Sequence, residues 1–363
     1  MQANNLTIVL TLKDRTPFTY RWMQYMNDMK CPYKILIADG GKDKSIEEHL
    51  LDPSNYPELI YEYIRYPYDA KLEDYLLKLE NVLSLVSTKY LLNADNDDFY
   101  LIDHIPEILS FLDANDDYVG CRGQLVYIDV YNRMGDNQNN LIRGQHYLAD
   151  LVESISIDCD CPFERVETLC GGMSKNDYYA NWYSIYRTSA MQEIWSSIVD
   201  LRINEMLVNE MLTHILMNIR GKIEILPQPF YIRQSRTSQF GDSLVVGNEF
   251  LERCMVNNSL SAFNLAVDKL IPVNNKEERD RVLVSIATWL EVFVSNIYIK
   301  NQLKKKFFYH LTRKLKRTIF IGPLIWETYL KLYDPSRLVK KQNVFKEIEP
   351  YVLSKFSMYA NTY

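Results

Sequence analysis

The 363-residue sequence predicts an α/β fold in which a mainly parallel sheet is followed by a mainly helical C-terminal region. Over the first hundred or so residues, apolar runs of strand length alternate with segments of helical periodicity. This alternation is typical of a parallel sheet with helices on both faces. From about residue 250 onward the periodicity is helical and strand signals are sparse. We therefore expect an α/β domain at 1–245 and a helical region at 246–363.

The first strand is predicted at Leu6–Leu12, a continuous apolar and β-branched run that is typical of a strand buried on both faces. Thr16 then supplies an N-cap, and the proline after it favours a first helix. A second strand over 33–38 ends at Asp39. The helix after it is expected to open at Ser45, where Ser-Ile-Glu-Glu has the form of a capping box.

The third strand and third helix are predicted over 59–66 and 72–86, and residues 90–94 form a fourth strand. The cluster Asp95–Asp98 follows that strand directly. Ligands of parallel sheets bind at the carboxyl ends of the strands. Both the cluster and Asp39 fall at such ends, which makes this edge of the sheet the expected binding site.

The middle of the chain, about 118–240, has a less regular pattern. A helix is predicted from about residue 204 to Arg220, where a glycine stops it. A short strand follows over 222–226 and is expected to close at Pro227 and Pro229.

The spacing of the aspartates indicates a bound cation. Asp95 and Asp97 are two residues apart, so in an extended chain both side chains can turn toward one point. Two like charges held this close repel, and a hard divalent cation with oxygen ligands relieves the repulsion. The alternative is a solvated acidic turn. The position of the cluster at a strand end favours the metal site, with coordination positions left open for a diphosphate.

The composition is that of a soluble globular protein, with 47% hydrophobic and 24% charged residues. The sequence has no apolar run of the roughly 18–20 residues that span a bilayer, and its first residues lack the features of a signal peptide. Six cysteines in a chain of this length do not indicate a disulfide framework. Cys159 and Cys161 match no common zinc spacing. A cytoplasmic location is expected.

The charge is unevenly distributed. The chain has a formal net charge of −6, yet residues 300–346 carry thirteen Lys and Arg against Glu327 and Asp334. Apolar residues recur every four positions from Leu303, so an amphipathic basic helix is predicted. Residues 303–326 could rest on the inner face of an anionic membrane. They could instead form a docked helix of a C-terminal bundle. No nucleic-acid partner is expected, because the rest of the chain is acidic.

Four segments, in this order and spacing, resemble the GT-A-fold, metal-dependent, inverting glycosyltransferases of family 2. The first strand and its loop read LTIVLTLKDRT, and the second strand reads YKILIADGG. The strand that leads into the Asp-x-Asp motif reads STKYLLNADNDDF. The helix, glycine, strand and proline of the family match NEMLTHILMNIRGKIEILPQPFYIR. The resemblance covers about residues 5–240.

The resemblance assigns donor-site roles to particular residues. It implies that Asp39 hydrogen-bonds the nucleotide base and that the loop from Thr11 to Arg15 lies along the nucleoside. It also implies that Asp95 faces the ribose and the metal, and that Asp97 is the principal ligand of Mg²⁺ or Mn²⁺.

The resemblance further implies that Glu210 is the catalytic base. Inversion requires a carboxylate that removes the proton of the acceptor hydroxyl. The chain departs from the family in carrying Asn209 where an acid is usual, and Glu205 is a competing candidate for the base. No histidine follows the final strand, so Arg233 or Arg236 is expected to pair with the diphosphate instead.

Three further predictions concern single side chains. His214, four residues after Glu210, either orients the base or packs in the core. Trp182 and Tyr183 either stack on an acceptor sugar or pack in the core. Lys78 and Asn81 lie near where relatives place an Arg-Asn pair that reaches the donor, but Lys78 is expected on the exposed surface of the third helix.

Together these features predict a hexosyltransferase-like enzyme of surface-polysaccharide synthesis. It would transfer a sugar, with inversion, from a nucleoside-diphosphate donor to a hydroxyl of a glycan or lipid-linked acceptor. One alternative is a sugar-nucleotidyltransferase, although LKDRTPF lacks the glycine-rich loop of that class. Another is a non-catalytic glycan-binding or scaffold protein on a transferase fold, an alternative that Asn209 leaves open.

Overall fold

The computed structural model describes residues 5–132, 141–172, 178–235, 259–271, 276–289 and 347–353. The predicted basic helix and Arg236 lie outside these residues. Within them, no helix combines the length and apolar character needed to cross a bilayer.

The predicted alternation of strands and helices is present in the first hundred residues. In chain order the elements are β1 (Leu6–Leu12), α1 (Thr16–Asp28), β2 (Lys34–Asp39), α2 (Ser45–Leu51), β3 (Tyr61–Arg65), α3 (Leu72–Ser84) and β4 (Tyr90–Ala94).

The remainder of the sheet comes from the middle of the chain. Its elements are β5 (Phe99–Tyr100), α4 (Ile105–Ala114), β6 (Tyr118–Tyr131), β7 (His146–Val152), α5 (Pro162–Gly172), β8 (Ile185–Arg187), α6 (Thr188–Asp200), α7 (Met206–Arg220) and β9 (Lys222–Gln234). A 3₁₀ segment at Tyr178–Tyr183 precedes β8.

One nine-stranded sheet has the order β3-β2-β1-β4-β8-β6-β9-β5, with β7 paired to β6. The strands β1 to β4 are mutually parallel, and β6 is parallel to β9. Leu12 pairs with Asp39, and Leu10 pairs with Ala94. The carboxyl ends of β1, β2 and β4 therefore meet at one edge, as the predicted α/β class requires. That class is confirmed.

The sheet is buried on both faces. Ile8 and Leu10 belong to a core shared with α1, α2 and α4, whereas Val9 between them joins a core shared with α3, α5, α6 and α7. Trp22 and Trp195 are fully buried on opposite faces. This explains the continuous apolar run of β1, because alternating side chains meet protein on both sides.

Three local predictions are wrong. The first helix begins at Thr16, which makes Arg15 the N-cap residue, and the Thr16 hydroxyl donates to Asp43 instead. Ser45 is already helical and forms no capping box. The last strand does not close at the prolines. It continues to Gln234, because the ladder with β6 tolerates an irregular register where Pro229 faces Gln124.

The described C-terminal residues are helical, at Ser259–Leu270, 276–289 and 347–352. Val267 and Trp289 are buried in the core of α5 to α7. Residues 347–353 reach the opposite core, where Tyr351 packs edge-on against Tyr25 and Ile348 is fully buried. The boundary at 245/246 stays a prediction.

Candidate active site

Three carboxylates converge just beyond the carboxyl end of β4. Asp95, Asp97 and Asp98 each place an oxygen within 4.8 Å of the others. Asp97 and Asp98 are almost fully buried, whereas Asp95 is half-buried. The predicted convergence of Asp95 and Asp97 is present, and Asp98 joins them. We refer to these three residues as the Asp triad.

Asp97 lies against two arginines, Arg15 just before α1 and Arg21 within it. Arg15 Nη2 donates to Asp97 Oδ2 at 3.2 Å. Arg21 Nη2 donates to the Asp97 carbonyl at 2.9 Å, and the Arg21 guanidinium packs over the ring of Phe99. Burial lowers the pKa of Arg21 to about 9, and the charges of Asp97 and Asp98 oppose that shift. The backbone and the side chain of Asp97 are thus held by different cations.

The other two members of the Asp triad are held by tyrosines. The Tyr183 hydroxyl donates to Asp95, and the Tyr231 hydroxyl donates to Asp98. Asp98 Oδ1 also accepts from the backbone N–H of Gln234 at 2.9 Å. Tyr183 was expected to stack on an acceptor sugar or to pack in the core. It packs against Tyr231, and its hydroxyl bonds to the site.

The electrostatics of the Asp triad favour a cation. Burial raises the pKa of Asp98 well above its usual range, and the charge of Asp97 raises it further. Burial and Asp97 likewise raise the pKa of Asp95. Converging carboxylate oxygens that repel one another are a suitable donor set for a hard divalent ion. The residues present therefore fit Mg²⁺ or Mn²⁺.

Asp39 lies at the end of β2, as expected. Its carboxylate is buried and accepts hydrogen bonds from the Gly41 N–H at 2.7 Å, the Tyr63 hydroxyl at 2.6 Å and Arg65 Nη1 at 2.6 Å. These bonds fix both of its oxygens. The role of Asp39 in binding a base stays a prediction.

Lys78 is not on the helix surface, so that prediction is wrong. It is only 3% exposed, because α3 turns this residue toward the sheet. Its ammonium group donates to the Leu12 carbonyl at 2.8 Å and pairs with buried Asp69. Asp69 in turn packs against Gly40, where a Cβ atom would meet its carboxylate. The pair therefore connects the carboxyl end of β1 at Leu12, the loop after β2 at Gly40 and the loop after β3 at Asp69.

Glu210 lies in α7 and is half-buried. Burial raises its pKa to about 7, while the charge of Arg233 lowers it and that of Asp95 raises it. Glu210 therefore lies within electrostatic reach of the Asp triad. Glu205 is buried just before α7. Asn209 is fully buried, and its amide donates to the Ile203 carbonyl at 2.9 Å, so it supports the helix start.

Tyr75 is a site residue that the sequence patterns did not indicate. Burial raises its pKa, and the charges of Asp95 and Glu210 raise it further, whereas a hydrogen bond with Thr11 lowers it. Tyr75 therefore contacts Thr11 and lies within electrostatic reach of both Asp95 and Glu210. A tyrosine on an amphipathic helix gives no sequence signal that separates it from a core residue.

Arg233 lies in β9 and is half-buried. Burial lowers its pKa, but Tyr231, Tyr183 and Asp98 nearby raise it well above its usual value. The guanidinium therefore stays charged beside the Asp triad.

His214 is buried, and Trp182 is partly buried against both cores. Burial lowers the pKa of His214 to about 3, and the charge of Arg122 lowers it further, so the imidazole is neutral. Trp182 packs edge-on against Trp195, with ring centroids 5.4 Å apart. Both positions agree with core packing.

No model of a known protein family and no curated protein matches the chain. Solved structures similar to it include TarS 1–349 from S. aureus in complex with UDP-GlcNAc, with 11% identity and a TM-score of 0.49 over 86% of this chain and 80% of that one. They also include the mannosyltransferase PcManGT from Pyrobaculum calidifontis in complex with GDP-Man and Mn²⁺, with 9% identity and a TM-score of 0.41 over 93% of this chain and 83% of that one. Both similarities are at low sequence identity.

Proposed function

We propose that the chain is a metal-dependent, inverting glycosyltransferase. It would move a sugar from a nucleoside-diphosphate donor to a hydroxyl of a glycan or lipid-linked acceptor in surface-polysaccharide synthesis. The observation that carries the proposal is the Asp triad at the end of β4, with Glu210, whose pKa is raised, within electrostatic reach of Asp95. One group of carboxylates can hold a cation while a separate carboxylate accepts a proton.

The donor side uses the carboxyl ends of the parallel strands. Asp95 and Asp97 would hold the cation, and Asp39 and the loop from Thr11 to Arg15 would contact the nucleoside. A bound Mn²⁺ or Mg²⁺ would offset the negative charge that develops on the departing diphosphate. Arg233 would add a guanidinium fork for the diphosphate oxygens.

The acceptor side uses Glu210 as the general base. Its pKa of about 7 leaves it partly ionised near neutrality, and a base with a pKa near the working pH transfers protons efficiently. Glu210 would take the proton of the acceptor hydroxyl as that oxygen attacks the anomeric carbon.

Asn209 has a structural role at the start of α7, and the activity test below decides between the transferase and the non-catalytic scaffold. Its amide is committed to the Ile203 carbonyl, so an acid at this position would be buried at the start of the helix. The nucleotidyltransferase alternative still lacks a glycine-rich loop after β1.

The test is release of nucleoside diphosphate from a panel of UDP- and GDP-sugars, with and without Mn²⁺. Wild type would be compared with Asp97→Asn, Glu210→Gln and the exposed control Glu164→Gln. We expect Mn²⁺-dependent release that falls at least 100-fold in the first two variants and is unchanged in the control. Equal release in all four proteins would sink the assignment.

We also propose a peripheral contact of residues 303–326 with the cytoplasmic face of a membrane. The basis is the sequence alone, since these residues lie outside the described part of the chain. Co-sedimentation with phosphatidylglycerol vesicles should be reduced when Lys304, Lys305 and Lys306 are changed to glutamate. Equal sedimentation with phosphatidylcholine vesicles, or no effect of the substitutions, would argue for a docked helix.

A further inference from the structure

The two arginines beside Asp97 are held very differently. Arg21 is 4% exposed and donates to the Ile142 carbonyl at 2.7 Å, to Gln234 Oε1 at 2.6 Å and to the Asp97 carbonyl. Arg15 reaches the carboxylate of Asp97, and its side chain is 24% exposed. Arg21 is therefore a fixed part of the scaffold, whereas Arg15 meets the solvent side of the site.

The contact of Arg15 with Asp97 uses only part of the guanidinium. Its Nη2–Oδ2 distance of 3.2 Å exceeds the roughly 2.7–2.9 Å of a strong charge-assisted hydrogen bond. Arg15 Nε is buried and has no hydrogen-bond partner among the described residues. The guanidinium is stacked on Phe18 and has donor groups that Asp97 does not use, which suits it to a second anion with two oxygens.

The backbone under Arg15 is strained. Asp14 and Arg15 have φ angles of 57° and 63°, so two consecutive residues other than glycine adopt the left-handed conformation. Two hydrogen bonds stabilise this strained conformation. Asp14 Oδ1 accepts from the Lys42 N–H at 2.6 Å, and the Arg15 carbonyl accepts from the Phe18 N–H at 2.9 Å. Strained backbone of this kind clusters at ligand clamps and switch segments.

We propose that Arg15 is an exchangeable cation that couples metal binding to donor binding. Arg15 occupies one carboxylate oxygen of Asp97, a residue that would hold the metal, and it would transfer to the diphosphate when the donor arrives with its cation. This inference rests on the proposed function of the site and adds a coupling residue to it.

Two consequences of opposite sign follow. Without a nucleotide, Arg15 competes with a divalent cation for Asp97, so it weakens metal binding. With a nucleoside diphosphate, the guanidinium leaves Asp97 and donates to the phosphate oxygens instead. Arg15 then strengthens binding of the metal–nucleotide complex. By linkage, metal and nucleotide must then raise each other's affinity by the same factor.

The experiment measures Mn²⁺ affinity from the electron paramagnetic resonance signal of free Mn²⁺, alone and with UDP or GDP. Wild type would be compared with Arg15→Gln, Arg15→Lys and Arg220→Gln, an exposed arginine at the end of α7 that pairs with Glu193. Far-ultraviolet circular dichroism would verify that each variant is folded. No sugar transfer enters the measurement.

Arg15→Gln should bind Mn²⁺ alone several-fold more tightly than wild type and bind Mn²⁺ with the nucleotide at least tenfold more weakly. Arg15→Lys keeps the charge without the fork, so its affinity for Mn²⁺ alone should stay near wild type while its coupling falls. Arg220→Gln should match wild type in both.

Equal or weaker binding of Mn²⁺ alone by Arg15→Gln would overturn the proposal. Absence of Mn²⁺ binding in every protein, or absence of any effect of nucleotide on wild type, would overturn it as well. Absence of Mn²⁺ binding would also contradict a Mn²⁺-dependent transferase, whereas the other outcomes are separate from that assignment. Sugar transfer with no effect of Arg15 on Mn²⁺ affinity would refute only the exchange, and the expected affinities without sugar transfer would refute only the transferase.

Discussion

Tyr183 and Tyr231 stack with their ring centroids 4.2 Å apart and donate their hydroxyl hydrogens to two different carboxylates of the Asp triad. Tyr183 ends the 3₁₀ segment before β8, and Tyr231 lies in β9. The stack therefore joins two segments that are distant in sequence. It sets the relative position of Asp95 and Asp98 without belonging to the acidic motif.

Replacing either tyrosine by phenylalanine keeps the stack and removes one hydrogen bond. Asp98 is fully buried, so Tyr231→Phe should lower the free energy of unfolding by about 1–3 kcal/mol. Asp95 is half-buried, and water can replace the lost donor, so Tyr183→Phe should cost less stability but weaken Mn²⁺ binding. Urea unfolding and Mn²⁺ titration would measure the two effects.

Tyr66→Phe is the matched control, because the Tyr66 hydroxyl donates to Asn81 at the surface. It should change neither quantity. If Tyr231→Phe were as stable as this control, the hydrogen bond to Asp98 would not support the Asp triad.

The fold and the acidic residues of the site could be predicted because both depend on short-range patterns. Asp39 and the Asp triad follow apolar strands, and parallel strands bring their carboxyl ends to one edge. Tyr231 and Asp69 gave no such signal, because their contacts depend on packing between distant segments. The strand β6 was also missed, since its buried Arg122 and Gln124 interrupt the apolar pattern.

Activity should depend on pH through Glu210. A general base must be ionised, so kcat/KM should rise with pH and level off above about pH 7, where Glu210 loses its proton. The charge of Arg233 lowers the pKa of Glu210, so Arg233→Gln should raise that pKa. The acid limb of the pH profile, where kcat/KM rises with pH, should then move to higher pH. The measurement is kcat/KM against pH at saturating Mn²⁺. An acid limb that stayed in place in Arg233→Gln would contradict the electrostatic link.

Stability should also depend on pH through Glu210. The free energy of unfolding should fall with rising pH, whereas kcat/KM should rise. The pKa of Glu210 is raised from 4.5 to about 7 in the folded state, so between these values the folded protein binds more protons than the unfolded chain. The free energy of unfolding contributed by Glu210 therefore falls as pH rises, by at most about 1.4 kcal/mol per pH unit. Glu210→Gln cannot ionise and should lack this slope. Urea unfolding of both proteins from pH 5 to pH 8 would compare them, and identical slopes would contradict the shift.

The buried pair of Lys78 and Asp69 should be far more sensitive to loss of one partner than to loss of both. Lys78→Met leaves an isolated buried carboxylate, which should lower the free energy of unfolding by about 3–5 kcal/mol. The double variant Lys78→Met/Asp69→Leu removes both charges and should recover most of that loss. The exposed pair of Lys34 and Glu62 is the control, and Lys34→Met should cost at most about 1 kcal/mol. Urea unfolding of wild type, Lys78→Met, Asp69→Leu and the double variant gives the coupling free energy of the pair. A double variant no more stable than Lys78→Met would mean that the ammonium group acts mainly through the Leu12 carbonyl, which it meets at 2.8 Å.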